Sequence, residues 1–504
     1  MPTIKKILVA NRGEIAVRVL RTCKDLGIKT VAVFSDADKF SPHVLLADES
    51  VHIGEAPSSK SYLVTDKLIQ AAKVTDACAI HPGYGFLSEN PVFSKRCADE
   101  GIIFIGPAAS SIEAMGDKTR ARELMIAAGV PLPPGTTESL NDVDEAARFA
   151  DSIGYPVMIK AAAGGGGKGM RIVYSPAEFS RNVSMAQSEA LSAFGDDRVY
   201  VEKYLESPHH IEFQVLADMH GNVIHLFDRE CSIQRRHQKV VEESPSMFIT
   251  EQMRSEMADA AVKAARSCNY TGAGTIEFLV DKHRNFYFLE MNTRLQVEHP
   301  VTEMITGTDL VALQILVAEG KPLPITQDDV KRNGHAIECR ICAEDPFDNF
   351  LPSTGYLKRY RIPAGPGVRV DSGVEEGQEV SIYYDPLLAK LITWGSTRHQ
   401  AIQRMKRALS EYDVSGIKTT IPFCSFVMDE PSFVKGDYDT HFVKEYFDPV
   451  KTALNAPVDT HAGILGAVLL SKSTYSNGRA VTQPDRTNIP SAWWANRRNL
   501  LVKK

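Results

Sequence analysis

Short apolar runs alternate with amphipathic stretches over the first hundred residues. Lys6–Ala10 reads as a buried strand. Glu14–Leu26 follows as a helix with Ile15, Val19 and Leu26 at helical spacing, Gly27 ends it, and Thr30–Phe34 starts the next strand. The alternation continues through Tyr62–Ala72, Ala77–Ile80 and Ile102–Ile105. Strands separated by helices pair in parallel and need cover on both faces, so an α/β, doubly wound unit is expected. Ligands of such sheets sit at the carboxyl ends of the strands. No GxGxxG follows the first strand, which gives a dinucleotide site no support.

Pro131-Leu132-Pro133-Pro134-Gly135 breaks the pattern. A small unit is predicted beyond it: a helix over Asp142–Ile153, a strand over Val157–Ala161, a glycine-rich loop and a strand over Arg171–Tyr174. Strands at Val199–Tyr204 and Ile211–Ala217 are expected to begin a larger region, which ends in β structure, a helix over Thr397–Glu411 and a stop near Phe447. From Asp448 to Lys504 the character changes. One apolar helix candidate, Ala462–Ser471, precedes a polar, turn-rich stretch, Trp493, Trp494 and a basic end. No internal repeats appear.

Composition narrows the classes. The chain has 504 residues, too many for one compact core, and its net charge of −6 leaves no basic footprint for nucleic acid. Local basic pockets for small anions remain compatible with that charge. The apolar run Ile7–Ala10 is too short for a secretion signal, and Ala462–Leu470 is too short to span a bilayer. Of eight cysteines only Cys339 and Cys342 have CxxC spacing, without a second ligand pair for zinc. They read as reduced thiols flanking Arg340, which implies a reducing, cytoplasm-like compartment.

Four segments carry chemistry. In Lys160-Ala-Ala-Ala-Gly164-Gly165-Gly166-Gly167-Lys168-Gly169-Met170, glycines let backbone N–H groups wrap phosphate oxygens. It is not a Walker A loop, since Met170 stands where Ser or Thr would meet magnesium. Glycines alone also suit a flexible hairpin tip, but Lys160 ends the preceding strand within reach of the same phosphates. Next, Thr275, Glu277 and Leu279 alternate onto one face of a strand, and Phe286, Phe288, Glu290 and Asn292 onto one face of another. A turn over Asp281–Asn285 brings Glu277 opposite Glu290, giving with Asn292 an oxygen-rich wall suited to magnesium, or else a solvated sheet face. Flanking Phe278, Leu279, Phe288 and Leu289 favour an enclosed site. Third, Arg294 and Glu298 fit either an anion clamp with a proton acceptor or a plain salt bridge. The fourth, Gln234-Arg235-Arg236-His237-Gln238-Lys239, is a solvated basic face or a source of positive charge for an acidic protein.

These residues resemble the biotin carboxylase branch of the ATP-grasp enzymes from about Lys6 to about Phe447. The matching motifs are Asn11-Arg12-Gly13-Glu14-Ile15-Ala16, His81-Pro82-Gly83-Tyr84-Gly85, Gly164–Met170, Gln234–Lys239 and Glu290-Met-Asn292-Thr-Arg294-Leu-Gln296-Val-Glu298-His299-Pro300. The resemblance implies an N-terminal doubly wound domain (1–117), a lid region carrying the glycine loop (118–205), a C-terminal ATP-grasp domain (206–447) and a tail (448–504). It implies that ATP and bicarbonate form carboxyphosphate, whose carboxyl group passes to N1 of biotin. Lys118, Lys160, Gly166, Gly167, His210 and His237 would hold nucleotide phosphates and ribose. Glu202, Lys203, Tyr204 and Leu205 would form the adenine edge, with Gln234 close by. Glu277, Glu290 and Asn292 would hold magnesium (or manganese). Lys239, Arg294, Gln296 and the backbone of Val297 would bind bicarbonate, Glu298 would be its base, and Arg340 would stabilise the biotin enolate oxygen. Lys168 and His209 stand where arginine is common in relatives.

The chain lacks the Met-Lys-Met biotin acceptor, since Met405-Lys406 is followed by Arg407, so biotin is expected on a separate carrier protein. The expected partners are that carrier and carboxyltransferase subunits of an acyl-CoA carboxylase, with a homodimer of this chain implied by the resemblance. A two-subunit pyruvate carboxylase is the alternative setting. The tail faintly resembles the start of a linking domain in fused α chains, and Trp493 and Trp494 are expected to dock a partner protein. Another ATP-grasp ligase and a non-catalytic ATP-binding scaffold are the competing readings. The run Arg294–His299 with Arg340 opposes the first; intact Lys239, Arg294 and Glu298 oppose the second.

Overall fold

The structure is a computed structural model in which residues 3–136, 143–161, 170–236 and 238–455 are described. Expectations for Gly166, Gly167, His237 and the tail tryptophans fall outside those residues. The first unit runs β1 (Lys6–Val9), α1 (Gly13–Asp25), β2 (Lys29–Ser35), β3 (Glu49–Gly54), α2 (Thr65–Val74), β4 (Ala79–His81), α3 (Pro91–Asp99) and β5 (Ile103–Phe104). Its strands lie in the order β3-β2-β1-β4-β5, every pair parallel, as the alternation predicts. Ile15 and Val19 of α1 are buried as expected. Leu26 is not: it lies one residue past the helix, is half exposed, and precedes Gly27 at φ +70°. β3 escaped the sequence reading because it is an edge strand with one fully buried residue, Ile53.

Next come α4 (Ala109–Gly116) and α5 (Lys118–Ala127), whose first turn is capped by the Asp117 carboxylate accepting from the Thr119 and Arg120 amides. Grouped with the lid by the sequence boundaries, α5 instead buries Ala121 and Met125 in the core under the large sheet. The small unit comprises α6 (Val143–Ile153), β6 (Val157–Ala161), β7 (Arg171–Val173), α7 (Phe179–Phe194) and β8 (Val199–Lys203). Its sheet order is β7-β6-β8, all antiparallel, over a core that includes Ala150, Ile159, Phe179 and Val201. β8 therefore closes this unit and does not begin the next. Ser207, at φ +50°, lies in the connection to the following strand.

The last unit holds β9 (His209–Ala217), β10 (Val223–Arg235), β11 (Gln238–Ser244), α8 (Glu251–Ser267), β12 (Gly272–Val280), β13 (Phe286–Asn292), α9 (His299–Thr306), α10 (Leu310–Ala318), β14 (His335–Cys342), β15 (Val368–Ser372), β16 (Leu387–Gly395), α11 (Arg398–Glu411) and α12 (Ile421–Asp429). Eight antiparallel strands run β13-β12-β9-β10-β11-β14-β16-β15. Along β9 the odd positions Ile211, Phe213 and Val215 enter the apolar core with Met257 and Ala261 of α8, while His210, Glu212 and Gln214 alternate to the other face. That polar face carries the site. No single helix among the described residues is long and apolar enough to cross a membrane. α9 and α10 meet that test only as a pair bent by 96°, and both are largely buried.

Candidate active site

The register of β12 and β13 pairs Glu277 with Glu290, as expected, and Thr275 with Asn292. Phe278, however, pairs with Phe288, so Leu289 is an extra residue, a bulge that inverts the faces. Phe286 and Phe288 thus turn into the core with Phe278, and Met291 joins them there. Glu290 and Asn292 emerge on the opposite face beside Glu277. The expectation that Phe286, Phe288, Glu290 and Asn292 share one face is corrected by this one insertion. Phe286 and Phe288 support the wall from behind, and Phe288 and Leu289 also line the cavity that adjoins it.

Lys239, on β11, is the centre of the face. Its ammonium donates to Glu212 Oε2 at 2.5 Å, Glu298 Oε1 at 2.7 Å and Glu277 Oε1 at 2.8 Å. Burial opposes its charge, but three carboxylates hold its pKa well above the usual lysine range. Glu277 also accepts from Asn292 (2.9 Å) and Gln296 (3.2 Å), and its other oxygen lies 3.0 Å from His210 Nε2. Gln234 contacts His210 Nδ1 at 3.1 Å. His210 is raised in pKa, burial being outweighed by Glu277.

Glu298, fully buried, shares its two oxygens between Lys239 and Arg340 Nη2, the latter at 2.9 Å. Burial pushes its pKa up, yet Lys239 and Arg340 outweigh burial and hold it well below the carboxylate range. Of the two sequence readings of Arg294 and Glu298, the plain salt bridge between them is not formed among the described residues. The Arg294 guanidinium instead donates to Glu89 (2.7 Å), Gln296 (2.7 Å) and Asn292 (2.9 Å). Val297 contributes its carbonyl to the Lys390 ammonium at 2.8 Å. The basic run is not simply a solvated face, because Lys239 points inward and Arg235 pairs with Glu344.

A second region adjoins this one. A cavity of about 260 Å³ is lined by Lys118, Tyr200, Glu202, Glu290, Asn292 and Glu89, among others. Lys160 pairs with Glu202 at its edge. Lys118 is lowered in pKa by burial and then by neighbouring Lys160, the electrostatic signature of a pocket suited to an anion. Lys203 turns away to the carbonyls of Gly154 and Tyr155, while the Tyr204 amide donates to Pro156. Lys203, Tyr204 and Leu205 follow one another where the small unit ends, adjacent in sequence to Glu202.

Four residues that sequence reasoning missed complete the face. Arg229, fully buried, donates to Glu212 (2.5 Å), Gln214 (2.8 Å), Thr275 (3.0 Å) and Thr302 (3.0 Å). Glu242 accepts from Arg340, Glu89 holds Arg294, and Glu212 joins Arg229 to Lys239. Glu212 was legible as a polar position alternating with Ile211 and Phe213; the others have partners remote in sequence. The eight cysteines are all free, and Cys339 and Cys342 flank Arg340 on β14.

Carboxylate oxygens and an amide from two adjacent strands make a hard-cation donor set. Glu290 is raised in pKa by desolvation and then by facing Glu277, a repulsion that a divalent ion between them relieves. The residues therefore fit magnesium.

Family models match nearly the whole described chain: the biotin carboxylase N-terminal domain over residues 3–112, the ATP-binding domain of the carbamoyl-phosphate synthase L chain over 117–326, and the biotin carboxylase C-terminal domain over 338–445. A pyruvate carboxylase subunit of Methanothermobacter thermautotrophicus is 58% identical over 88% of this chain and 90% of its own. The propionyl-CoA carboxylase alpha chain of Rattus norvegicus is 54% identical over 97% of this chain and 66% of its own. A biotin carboxylase complex structure from Campylobacter jejuni superposes with a TM-score of 0.85 at 50% identity, over 88% of this chain and 99% of that one. Matches of this length and order, centred on the buried lysine–carboxylate face, establish that the chain belongs to the biotin carboxylase family of ATP-grasp ligases.

Proposed function

We propose that the face around Lys239 is where this biotin carboxylase activates bicarbonate with ATP, and that Arg340 is where biotin meets it. The observation that carries this reading is the sharing of Glu298 between Lys239 and Arg340 in a fully buried position. Glu298 removes the bicarbonate proton, the freed oxygen attacks the γ-phosphorus of ATP, and ADP leaves as carboxyphosphate forms. The C–O bond of carboxyphosphate then breaks, phosphate leaves with the N1 proton of biotin, and N1 bonds to the carboxyl carbon while the Arg340 guanidinium balances the charge on the ureido oxygen. In the resting arrangement two cations suppress the basicity of Glu298. A bicarbonate anion held by Lys239, Arg294, Gln296 and the Val297 backbone draws that positive charge to itself and restores the base.

Lys118, Lys160, Gly166, Gly167, His210, Gln234 and His237 take the nucleotide phosphates and ribose, with Glu202–Leu205 as the adenine edge. Glu277, Glu290 and Asn292 hold magnesium, which when bound screens the phosphate oxygens. In the same proposal, the lid region of 118–205, except for α5 packed under the large sheet, lies between the N-terminal domain (1–117) and the C-terminal ATP-grasp domain (206–447). The protein works as a cytoplasmic homodimer, receives biotin on a carrier protein and hands carboxybiotin to carboxyltransferase subunits of an acyl-CoA carboxylase. The acyl-CoA setting is supported by the several propionyl-CoA carboxylase alpha chains among the relatives, 53–55% identical over 88–97% of this chain, with a two-subunit pyruvate carboxylase as the alternative.

The test is ATP turnover by the purified chain with magnesium and bicarbonate, with and without free biotin, following carboxybiotin. Biotin-stimulated, bicarbonate-dependent turnover is expected. Turnover indifferent to bicarbonate would exclude Lys239 and Glu298 from their proposed roles.

A further inference from the structure

Arg340 is gripped from behind by a carboxylate to which the mechanism gives no part. Its Nε donates to Glu242 Oε1 at 2.6 Å and its Nη2 lies 2.5 Å from the same oxygen, while Nη2 also reaches Glu298 at 2.9 Å. Nη1 makes no hydrogen bond to another described residue, so its two N–H groups stay available. Glu242 is 1% exposed, and among the described residues Arg340 is the one cation hydrogen-bonded to it. Its second oxygen has no partner among them. Directly opposite in register on β14 sits Glu338, fully buried and with neither oxygen hydrogen-bonded to a described residue.

Two carboxyls side by side, away from water and served by one guanidinium, cannot both be ionised. Burial raises the pKa of both, Glu242 to about 7 against the pull of Arg340, and the guanidinium bonded to Glu242 makes it the one of the two that carries the charge, the other keeping its proton. Burial and then neighbouring groups act in that sense on Glu338, whose pKa is held well above the carboxylate range despite Lys390. Arg340 consequently feels one negative charge behind it and one, Glu298, in front. Without Glu242, the Nε–Nη2 edge is free to close on Glu298 as a bidentate pair, the geometry guanidinium and carboxylate prefer. That would remove the guanidinium from biotin and quench the base together.

We infer that Glu242 is a positioning residue for the carboxyl transfer: it holds the Nε edge of Arg340 so that a single N–H reaches Glu298 and Nη1 faces biotin. Glu338 serves as its neutral neighbour. The inference rests on the reading of Arg340 as the group that meets biotin, and the experiment separates the two.

Steady-state kinetics of the full chain with free biotin compare Glu242→Gln, Glu242→Asp and Arg340→Lys. The Gln variant keeps an oxygen acceptor but loses the charge, so KM for biotin rises by about tenfold or more, one charge-assisted hydrogen bond, while KM for ATP stays within about twofold. Glu242→Asp recovers at least part of the biotin KM. Arg340→Lys raises it as well. If Arg340→Lys raises the biotin KM and Glu242→Gln does not, the positioning role is overturned and the Arg340 reading stands. If neither variant moves it, the Arg340 reading itself fails. A Glu242→Gln variant whose KM values for ATP and biotin rise together has a merely structural defect, which also overturns the inference.

Discussion

Replacing Glu298 by Gln tests the chemistry at its narrowest point. The substitution keeps the shape and an oxygen acceptor but removes the group that takes the bicarbonate proton. A positioned general base contributes roughly 10²–10⁴-fold, or about 2.7–5.5 kcal/mol of barrier. Little else in the structure should change. Lys239 retains Glu212 and Glu277, and Arg340 retains Glu242, so neither buried cation is left without a carboxylate. The stability loss should therefore be that of one charge-assisted contact, ~1.5–3 kcal/mol, and not the larger penalty of an orphaned buried charge. The nucleotide cavity is lined by Lys118, Glu202 and Glu290 and not by Glu298, so KM for ATP should stay within about threefold. The assay is coupled ADP release across an ATP titration at saturating bicarbonate, with a thermal melt of each sample to exclude misfolding. Turnover within a few-fold of the parent, in a variant that melts normally, would remove Glu298 as the base.

Arg229→Met leaves Glu212 and two buried threonine hydroxyls short of their donor, and a fully buried pair broken on one side loses about 3–5 kcal/mol; a chemical denaturation midpoint close to the parent's would contradict that. Glu14 is raised in pKa from 4.5 to about 7, by burial against the counter-pull of Lys390, so the folded chain holds a proton that the unfolded chain has released. Its contribution is full below about pH 4.5 and is lost as pH rises through about 7, some ~3 kcal/mol in all. Glu14→Gln should flatten this slope, read as denaturation midpoints across that range; an unchanged slope refutes the assignment. Glu290→Gln should raise the magnesium concentration for half-maximal turnover by at least about tenfold, and an unchanged magnesium titration would take Glu290 out of the donor set.

How far the sequence reaches is clearest on β12 and β13. The expected opposition of Glu277 and Glu290 is found, but the turn alone pairs Val280 with Phe286 and Phe278 with Phe288 and would set Leu289 opposite Glu277; the extra residue makes it Glu290. The bulge at Leu289 was invisible, since nothing in Phe286–Asn292 distinguishes an extra residue from regular alternation until Met291 is seen in the core. The parallel N-terminal sheet was legible because its central strands are so apolar. The edge strand β3 was not, having so little to bury. Glu242 and Arg229 were hidden for another reason. Their partners stand on neighbouring strands in the order β12-β9-β10-β11-β14, an order set by tertiary packing that no local period encodes. Polar residues at every second position of β9, between fully buried apolar ones, were the available signal that one face of this sheet does chemistry.

The charge on that face also explains why it stays ready for anionic substrates while being lined with acids. Glu212, Glu277, Glu298 and Glu242 are each bonded to Arg229, Lys239 or Arg340, each cation serving two or more oxygens. Buried carboxylates that share cations in this way hold them at fixed positions, where a flexible lysine or arginine would otherwise collapse onto one partner. Glu290 differs from those four: no cation among the described residues pairs with it, and its raised pKa, owed to desolvation and Glu277, records the imbalance. This carboxylate lines the nucleotide cavity and stands opposite Glu277, a partner of Lys239. In the proposed reading a nucleotide arriving with its divalent cation would neutralise this acid and bring its phosphates toward Lys239, whereas bare ATP would add about four negative charges beside it, each repelled by the unscreened carboxylate. On that proposal, selectivity for the metal-bound nucleotide would reside in Glu290, the acid of this face that its lysine and arginines leave unpaired among the described residues.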